Sequence, residues 1–165
     1  MTTALIPGSF DPITLGHLNI IRRAAVIFDK VVVVVMKNSA KNYLFNIQER
    51  VELVRKVVAR LPNAEVATTD ELLAEYAKNY EGAVVVKGLR AVSDFDYEFQ
   101  IALINKKMNP ELDTLFLTAS EKYTFLSSTV VKEMAAYGAD LSEFAPIEII
   151  DEIKQRINDR RQTQA

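Results

Sequence analysis

Short runs of apolar residues alternate with segments of helical period along the whole chain. The runs Ala4–Ile6, Val31–Met36, Ala64–Ala67, Ala83–Val86 and Thr114–Leu117 predict five strands. The sequence VVVVVM at Val31–Met36 shows no polar alternation, as a parallel strand buried on both faces requires. Between these runs the apolar spacing predicts helices at about His17–Phe28, Ile47–Leu61, Asp70–Asn79 and Asp94–Met108. Capping signals stand near their starts: Thr14, Asn46 with Glu49, Thr68 with Glu71, and Ser93 with Asp96. A further helix is expected from Ser128 to a stop at Gly138, and Pro146 introduces a last one, with the final ten residues expected to fray.

Strand–helix alternation at this spacing predicts one α/β domain over residues 1–165, a three-layer Rossmann-like fold on a five-stranded parallel sheet. In such sheets the ligand crevice lies beyond the carboxyl ends of the strands. The loops after strands one, two, four and five are therefore where chemistry should sit.

Composition narrows that chemistry. Twenty basic and 22 acidic side chains leave a net charge of −2, which argues against bulk binding to nucleic acid or an anionic membrane. The chain has no cysteine and one histidine, His17, so thiol nucleophiles, zinc–thiolate sites and multi-histidine metal sites are excluded. The start MTTALIPGSF has neither a basic n-region nor an apolar h-region, and no apolar run approaches the roughly 20 residues of a membrane helix. A soluble cytoplasmic protein is expected.

After strand one the chain reads PGSFDPITLGH, a glycine-bearing turn leading into a helix N-terminus. Such a terminus offers free N–H groups and a positive dipole end to a phosphate, and His17 falls in its first turn. The string is neither G-x-G-x-x-G nor a P-loop. A capped helix with an ordinary surface histidine is the plain alternative. Lys41 follows strand two and can hold a phosphate or simply be solvated. Strand four ends in Lys87-Gly88-Leu89-Arg90, two cations able to face the crevice or to solubilise a strand end. The acids that follow, Asp94 to Glu98, are explained by helix capping and the dipole alone. After strand five, Ser127-Ser128-Thr129 place three hydroxyls at another helix N-terminus, a second anion nest or an ordinary cap. Two helix starts, several cations and one histidine on one crevice point to chemistry on a polyphosphate by positioning and charge stabilisation.

With these motifs in hand, the string PGSFDPITLGH resembles the [HT]-x-G-H signature of the nucleotidyltransferase superfamily. KGLRAVSDFDYE and FLSSTVVKE resemble the bacterial phosphopantetheine adenylyltransferases in particular, and the likeness runs from about residue 4 to 146. The resemblance implies transfer of AMP from ATP to 4′-phosphopantetheine, giving dephospho-coenzyme A and pyrophosphate, with Mg²⁺ and no metal ligand assigned on the protein. It implies that His17 stabilises the α-phosphate in the transition state and that Ser9 and Phe10 contact phosphate and nucleotide. Lys41, Leu73 and Lys87 would bind phosphopantetheine. Gly88, Leu89, Arg90, Glu98 and Tyr123, Thr124, Phe125, Leu126, Ser127, Ser128 and Thr129 would bind ATP. A homohexamer inhibited by coenzyme A is implied as well. Ser9 and Thr129 exchange one hydroxyl residue for the other relative to the family pattern, and Lys87 stands where some members have arginine. Another adenylyl- or cytidylyltransferase of the superfamily, or a coenzyme-binding module without turnover, are the alternatives.

Overall fold

In a computed structural model, which describes residues 2–38 and 42–164, five strands form one parallel sheet in the order β3-β2-β1-β4-β5. The strands are β1 (Thr3–Gly8), β2 (Lys30–Met36), β3 (Ala64–Thr69), β4 (Val84–Leu89) and β5 (Asp113–Thr118). The main helices are α1 (Leu15–Ile27), α2 (Ile47–Val58), α3 (Leu73–Tyr76), α4 (Val92–Met108), α5 (Ser128–Ala136) and α6 (Ile150–Gln164). No helix is long and apolar enough to cross a membrane among the described residues.

The period of two along each strand builds two cores. Ala4, Ile6, Val31, Val33 and Val35 face one side, against α1, α2, α5 and α6. Leu5, Val32, Val34 and Val85 face the other, against Leu73, Ala74 and Ala77. The result is the expected three-layer, Rossmann-like arrangement. The apolar valine run of β2 is buried throughout because both of its faces are covered.

β1 is where the winding direction reverses, with β2 on one side and β4 on the other. It pairs with β2 through six residues, Thr3 to Gly8, but with β4 only at Ala4↔Val84 and Leu5↔Val85. Beyond Leu5 and Val85 the two central strands part. A crevice opens at this point, the switch position that open α/β sheets use for ligands.

Several local expectations are corrected. The segment 70–79 is not one helix but a single α-turn, Leu73–Tyr76, continued as a 3₁₀ turn over Ala77–Asn79. Thr68 does not cap it: its hydroxyl donates to the Val35 carbonyl across the sheet at 2.8 Å, and the neighbouring Thr69 accepts the Glu71 N–H at 3.0 Å. Ser93 lies inside α4, whose N-cap is Ala91. The end of the chain is helical to Gln164, not frayed from residue 156, because Arg156 ion-pairs with Glu49 and donates to the Leu44 carbonyl at 3.1 Å. The Thr14 and Asn46 caps stand where expected, and Gly138 ends α5 at φ +75°, the left-handed conformation a residue after a helix favours.

α4 differs from the other helices. Only Asn105 is buried on it, while Phe95, Phe99, Leu103, Ile104 and Met108 are exposed. Leu115 on the edge strand β5 is exposed too.

The Glu49–Arg156 pair yields a pH test. The Arg156 guanidinium holds the Glu49 carboxyl below the ordinary carboxylate range, although partial burial opposes it. A carboxylate with a depressed folded-state value stabilises above its unfolded value, and that contribution disappears as pH falls through the folded one. Glu49→Gln should therefore melt below wild type at pH 7, and the gap should close as pH is lowered past 4. A gap in melting temperature that stays constant down to pH 3 would remove the pair from the acid response.

Candidate functional site

The crevice between β1 and β4 widens into an open cleft of about 500 Å³ at the carboxyl ends of the strands. Its floor is Ile6, Pro7 and Gly8 from β1 and Val86, Lys87 and Gly88 from β4. Gly88 is there for want of room. A Cβ on it would lie 2.7 Å from Ile20 Cγ1 on α1, and one on Gly8 would lie 2.8 Å from the Phe10 ring. Both glycines let the walls close directly onto backbone.

α1 begins at the cleft through a reciprocal cap. The Thr14 hydroxyl accepts the His17 N–H at 3.2 Å, and His17 Nδ1 accepts the Thr14 N–H at 3.0 Å. Histidine thus fills the place that glutamate or glutamine takes in most capping boxes. An Nδ1 that accepts fixes the neutral tautomer with its proton on Nε2, so the imidazole is a hydrogen-bond donor through that atom. The Phe10 ring meets His17 edge-on, with centroids 5.1 Å apart, and limits its rotation. Phe10 itself has φ +47°, an uncommon backbone for a bulky residue, and sits buried beneath the cleft.

Both cations at the end of β4 line the cleft, and both have acidic partners. Lys87 Nζ lies 3.1 Å from Glu98 Oε2, each side chain about one-fifth exposed. Arg90 makes a two-pronged contact with Asp94, Nε at 3.1 Å and NH2 at 3.2 Å, and its NH1 donates to the Leu126 carbonyl at 2.8 Å. Asp94 also accepts the Arg90 N–H at 3.0 Å. Burial works to raise the Asp94 carboxyl, but the Arg90 hydrogen bonds outweigh it and hold the group below the usual carboxylate range.

The three hydroxyls at the start of α5 are not equivalent. Ser127 accepts the Val130 N–H at 3.1 Å as the N-cap, and Ser128 donates to the Pro12 carbonyl at 2.8 Å. Thr129 is exposed at the cleft edge.

Of the residues singled out in the sequence, Ser9, Phe10, His17, Lys87, Gly88, Arg90, Glu98, Tyr123, Leu126, Ser127, Ser128 and Thr129 are brought together around this one cleft. Leu89, Thr124 and Phe125 do not line it. Thr124 donates to the Glu121 carbonyl at 3.0 Å, and the exposed Phe125 meets Phe144 edge-on. Leu73 does not line the cleft either, and its side chain is buried in the core beneath α3. Lys41 lies outside the described residues. Asn38, Asp94 and Tyr97 line the cleft without having been singled out. Asp94 carries the one signal that reveals it, a carboxylate four residues after Arg90.

Comparison with known proteins agrees with this geometry. The Cytidylyltransferase-like family model matches residues 5–134. A phosphopantetheine adenylyltransferase of Caldanaerobacter subterraneus subsp. tengcongensis is 52% identical over 156 residues, covering 94% of this chain and 98% of its own. That of Finegoldia magna is 50% identical over 159 residues, covering 96% and 98%. Among solved structures, one described as a nicotinate-nucleotide adenylyltransferase of Vibrio parahaemolyticus superimposes with a TM-score of 0.68 over 94% of this chain and 95% of that one. At 18% identity that likeness speaks for the fold alone. Matched over nearly its whole length by relatives at half identity, the chain belongs to the phosphopantetheine adenylyltransferase family of nucleotidyltransferase enzymes.

Proposed function

We propose that this chain transfers AMP from ATP to 4′-phosphopantetheine, releasing pyrophosphate and giving dephospho-coenzyme A. The observation that carries the reading is the convergence of two helix N-termini, Lys87, Arg90 and a donor-tautomer His17 on one cleft at the β1/β4 switch point. An oxygen of the acceptor phosphate attacks the α-phosphorus of ATP, and the bond from that phosphorus to the bridging oxygen of pyrophosphate breaks. His17 Nε2–H donates to a non-bridging α-phosphate oxygen, where charge develops. Ser9 and Phe10 face the phosphates. Lys41, Leu73 and Lys87 hold the acceptor, with Leu73 restricted to its backbone because its side chain is buried. Gly88, Arg90, Glu98, Tyr123 and Leu126–Thr129 hold ATP from the cleft lining, and Leu89, Thr124 and Phe125 belong to the same two segments without reaching it.

Transfer is direct. A covalent adenylyl-enzyme needs an activated nucleophile, the chain has no cysteine, and a lysine that clamps phosphate stays protonated. Holding both substrates in one cleft lowers the entropic part of the barrier.

The reaction takes Mg²⁺ in this reading. No three His, Cys, Asp or Glu side chains cluster as a metal cage among the described residues, and the cleft carboxylates Asp94 and Glu98 are engaged by Arg90 and Lys87. That donor set fits an ion carried by the phosphates of ATP and water, where it would offset phosphate charge.

The assembly is proposed as a homohexamer. A second copy packed on α4 and the β5 edge would cover Phe95, Phe99, Leu103, Ile104, Met108 and Leu115, which one chain leaves in water. Coenzyme A, which shares the phosphopantetheine arm, is proposed as an inhibitor that occupies the same cleft. The cytoplasm is the proposed location.

The test is pyrophosphate release from ATP with 4′-phosphopantetheine, nicotinate mononucleotide or glycerol 3-phosphate offered in turn. Only the first should support turnover, pantetheine lacking its phosphate should be a very poor substrate, and a chiral α-phosphorothioate should invert. Preference for another acceptor, or equal reaction of pantetheine, would overturn the reading. His17→Ala should lower kcat at least about a hundredfold, since a donor aimed at transition-state charge contributes several kcal/mol to catalysis. A near-normal kcat would take His17 out of the mechanism.

A further inference from the structure

Arg50 lies on α2 in the string IQERVELVRK, where nothing distinguishes it from Glu52, Arg55 or Lys56. Those three are largely exposed; Arg50 is 1% exposed. Its guanidinium stacks 4.0 Å over the Tyr43 ring, and its NH1 donates to two carbonyls, Ser9 at 2.5 Å and Met36 at 3.0 Å. No carboxylate pairs with it among the described residues, and its Nε has no hydrogen-bond partner. A buried guanidinium is costly, and a packing role alone is filled as well by an apolar side chain of similar volume. What an apolar side chain cannot do is grip two carbonyls.

Those carbonyls stand at the carboxyl ends of two neighbouring strands, Ser9 just after β1 and Met36 as the last residue of β2. The Ser9–Phe10 peptide is trans, so its C=O and N–H point in opposite directions. With the Ser9 carbonyl drawn down to the buried guanidinium, the Phe10 N–H is turned the other way, toward the cleft that Ser9 and Phe10 line. The φ of +47° at Phe10 is the backbone turn that accompanies this orientation. Resting on the function proposed above, we infer that Arg50 is a positioning residue: it holds the Ser9–Phe10 peptide so that the Phe10 N–H faces the triphosphate of ATP. It touches no substrate and does not line the cleft. The role is to keep a neutral donor aimed at phosphate before the ligand arrives, so that no reorganisation is needed on binding.

The test compares binding of ATP with binding of adenosine, which lacks the phosphates, by calorimetry in wild type, Arg50→Lys and Tyr43→Leu. Lysine keeps the buried charge but loses the fork; leucine at 43 removes the ring beneath the guanidinium and leaves the guanidinium itself. Arg50→Lys should bind adenosine within about twofold of wild type, bind ATP about tenfold more weakly and lose about thirtyfold in kcat. Tyr43→Leu should shift the same way by a smaller factor, and it carries the test alone if Arg50→Lys does not fold. Equal weakening of ATP and adenosine would mean general loosening of the cleft and would overturn the assignment. Unchanged ATP affinity in the folded variants would overturn it too. The binding comparison requires no turnover, so it stands or falls separately from the identity of the acceptor.

Discussion

The cleft depends on a buried carboxylate. Asp11, 3% exposed, accepts the Leu44 N–H at 2.8 Å and the Phe45 N–H at 2.9 Å, and Lys132 Nζ from α5 lies 3.2 Å away. Three segments far apart in the chain, the turn after β1, the entry to α2 and the first turns of α5, are fixed to one side chain. A carboxylate suits this place because a buried anion must be fully satisfied, and three donors from two directions leave it few alternative positions. Ser128, donating to the Pro12 carbonyl one residue further on, fastens the same turn to α5 a second time. The two helix starts that face the cleft are held in register by these contacts. The strands alone could not do so, because β1 and β4 have already separated.

Arg50 supplies the opposite charge a short distance along the same turn. Burial pushes its guanidinium below the ordinary arginine value, while Tyr43 and Asp11 oppose that shift. Asp11 gathers N–H groups and Arg50 gathers carbonyls. Between them they satisfy backbone that an irregular turn cannot pair with itself. The loop gains rigidity from charges that never reach the substrate.

The strands and the crevice were legible because parallel strands covered on both faces have no option but continuous apolar runs. Strand–helix alternation then places the ligand at the carboxyl ends. The caps at Thr14 and Asn46 were legible because their partners lie three residues away. Thr68 misled because a threonine hydroxyl can serve a neighbouring strand as well as a helix start, and tertiary contact with Val35 decided it. The segment 70–79 has helical composition but too few buried positions to sustain more than one α-turn beside Leu73 and Ala74. The parts that stayed hidden share one cause. Asp11 takes backbone N–H groups 33 and 34 residues away and the Lys132 ammonium 121 away, Arg50 takes carbonyls 14 and 41 residues away, and no local spacing encodes such contacts. Asp94 looked like an ordinary acid at a helix start, and its grip on Arg90 adds a second role that the dipole argument does not exclude.

The pairing of the cleft cations would let a chain of net charge −2 carry the proposed polyphosphate site without attracting every small anion. Lys87 faces Glu98, and Arg90 is gripped by Asp94. A cation that already has a carboxylate partner gains less from another anion than a bare one would, because the new ligand must share or displace that partner. A single phosphate therefore finds little net attraction at either position. In the proposed reaction the cations are divided, Lys87 to the acceptor and Arg90 to ATP, so each substrate needs further contacts, such as a helix N-terminus, beside its one cation. Arg90 can share without letting go. Three of its five N–H groups are committed to Asp94 and Leu126, and the remaining two stay available for an incoming phosphate oxygen. Lysine has no such division of labour, since one small ammonium serves Glu98 and any ligand alike. The two cations at the end of β4 thus differ in kind: Arg90 is a fixed fork held ready, and Lys87 is a charge whose partner must change when an anion enters.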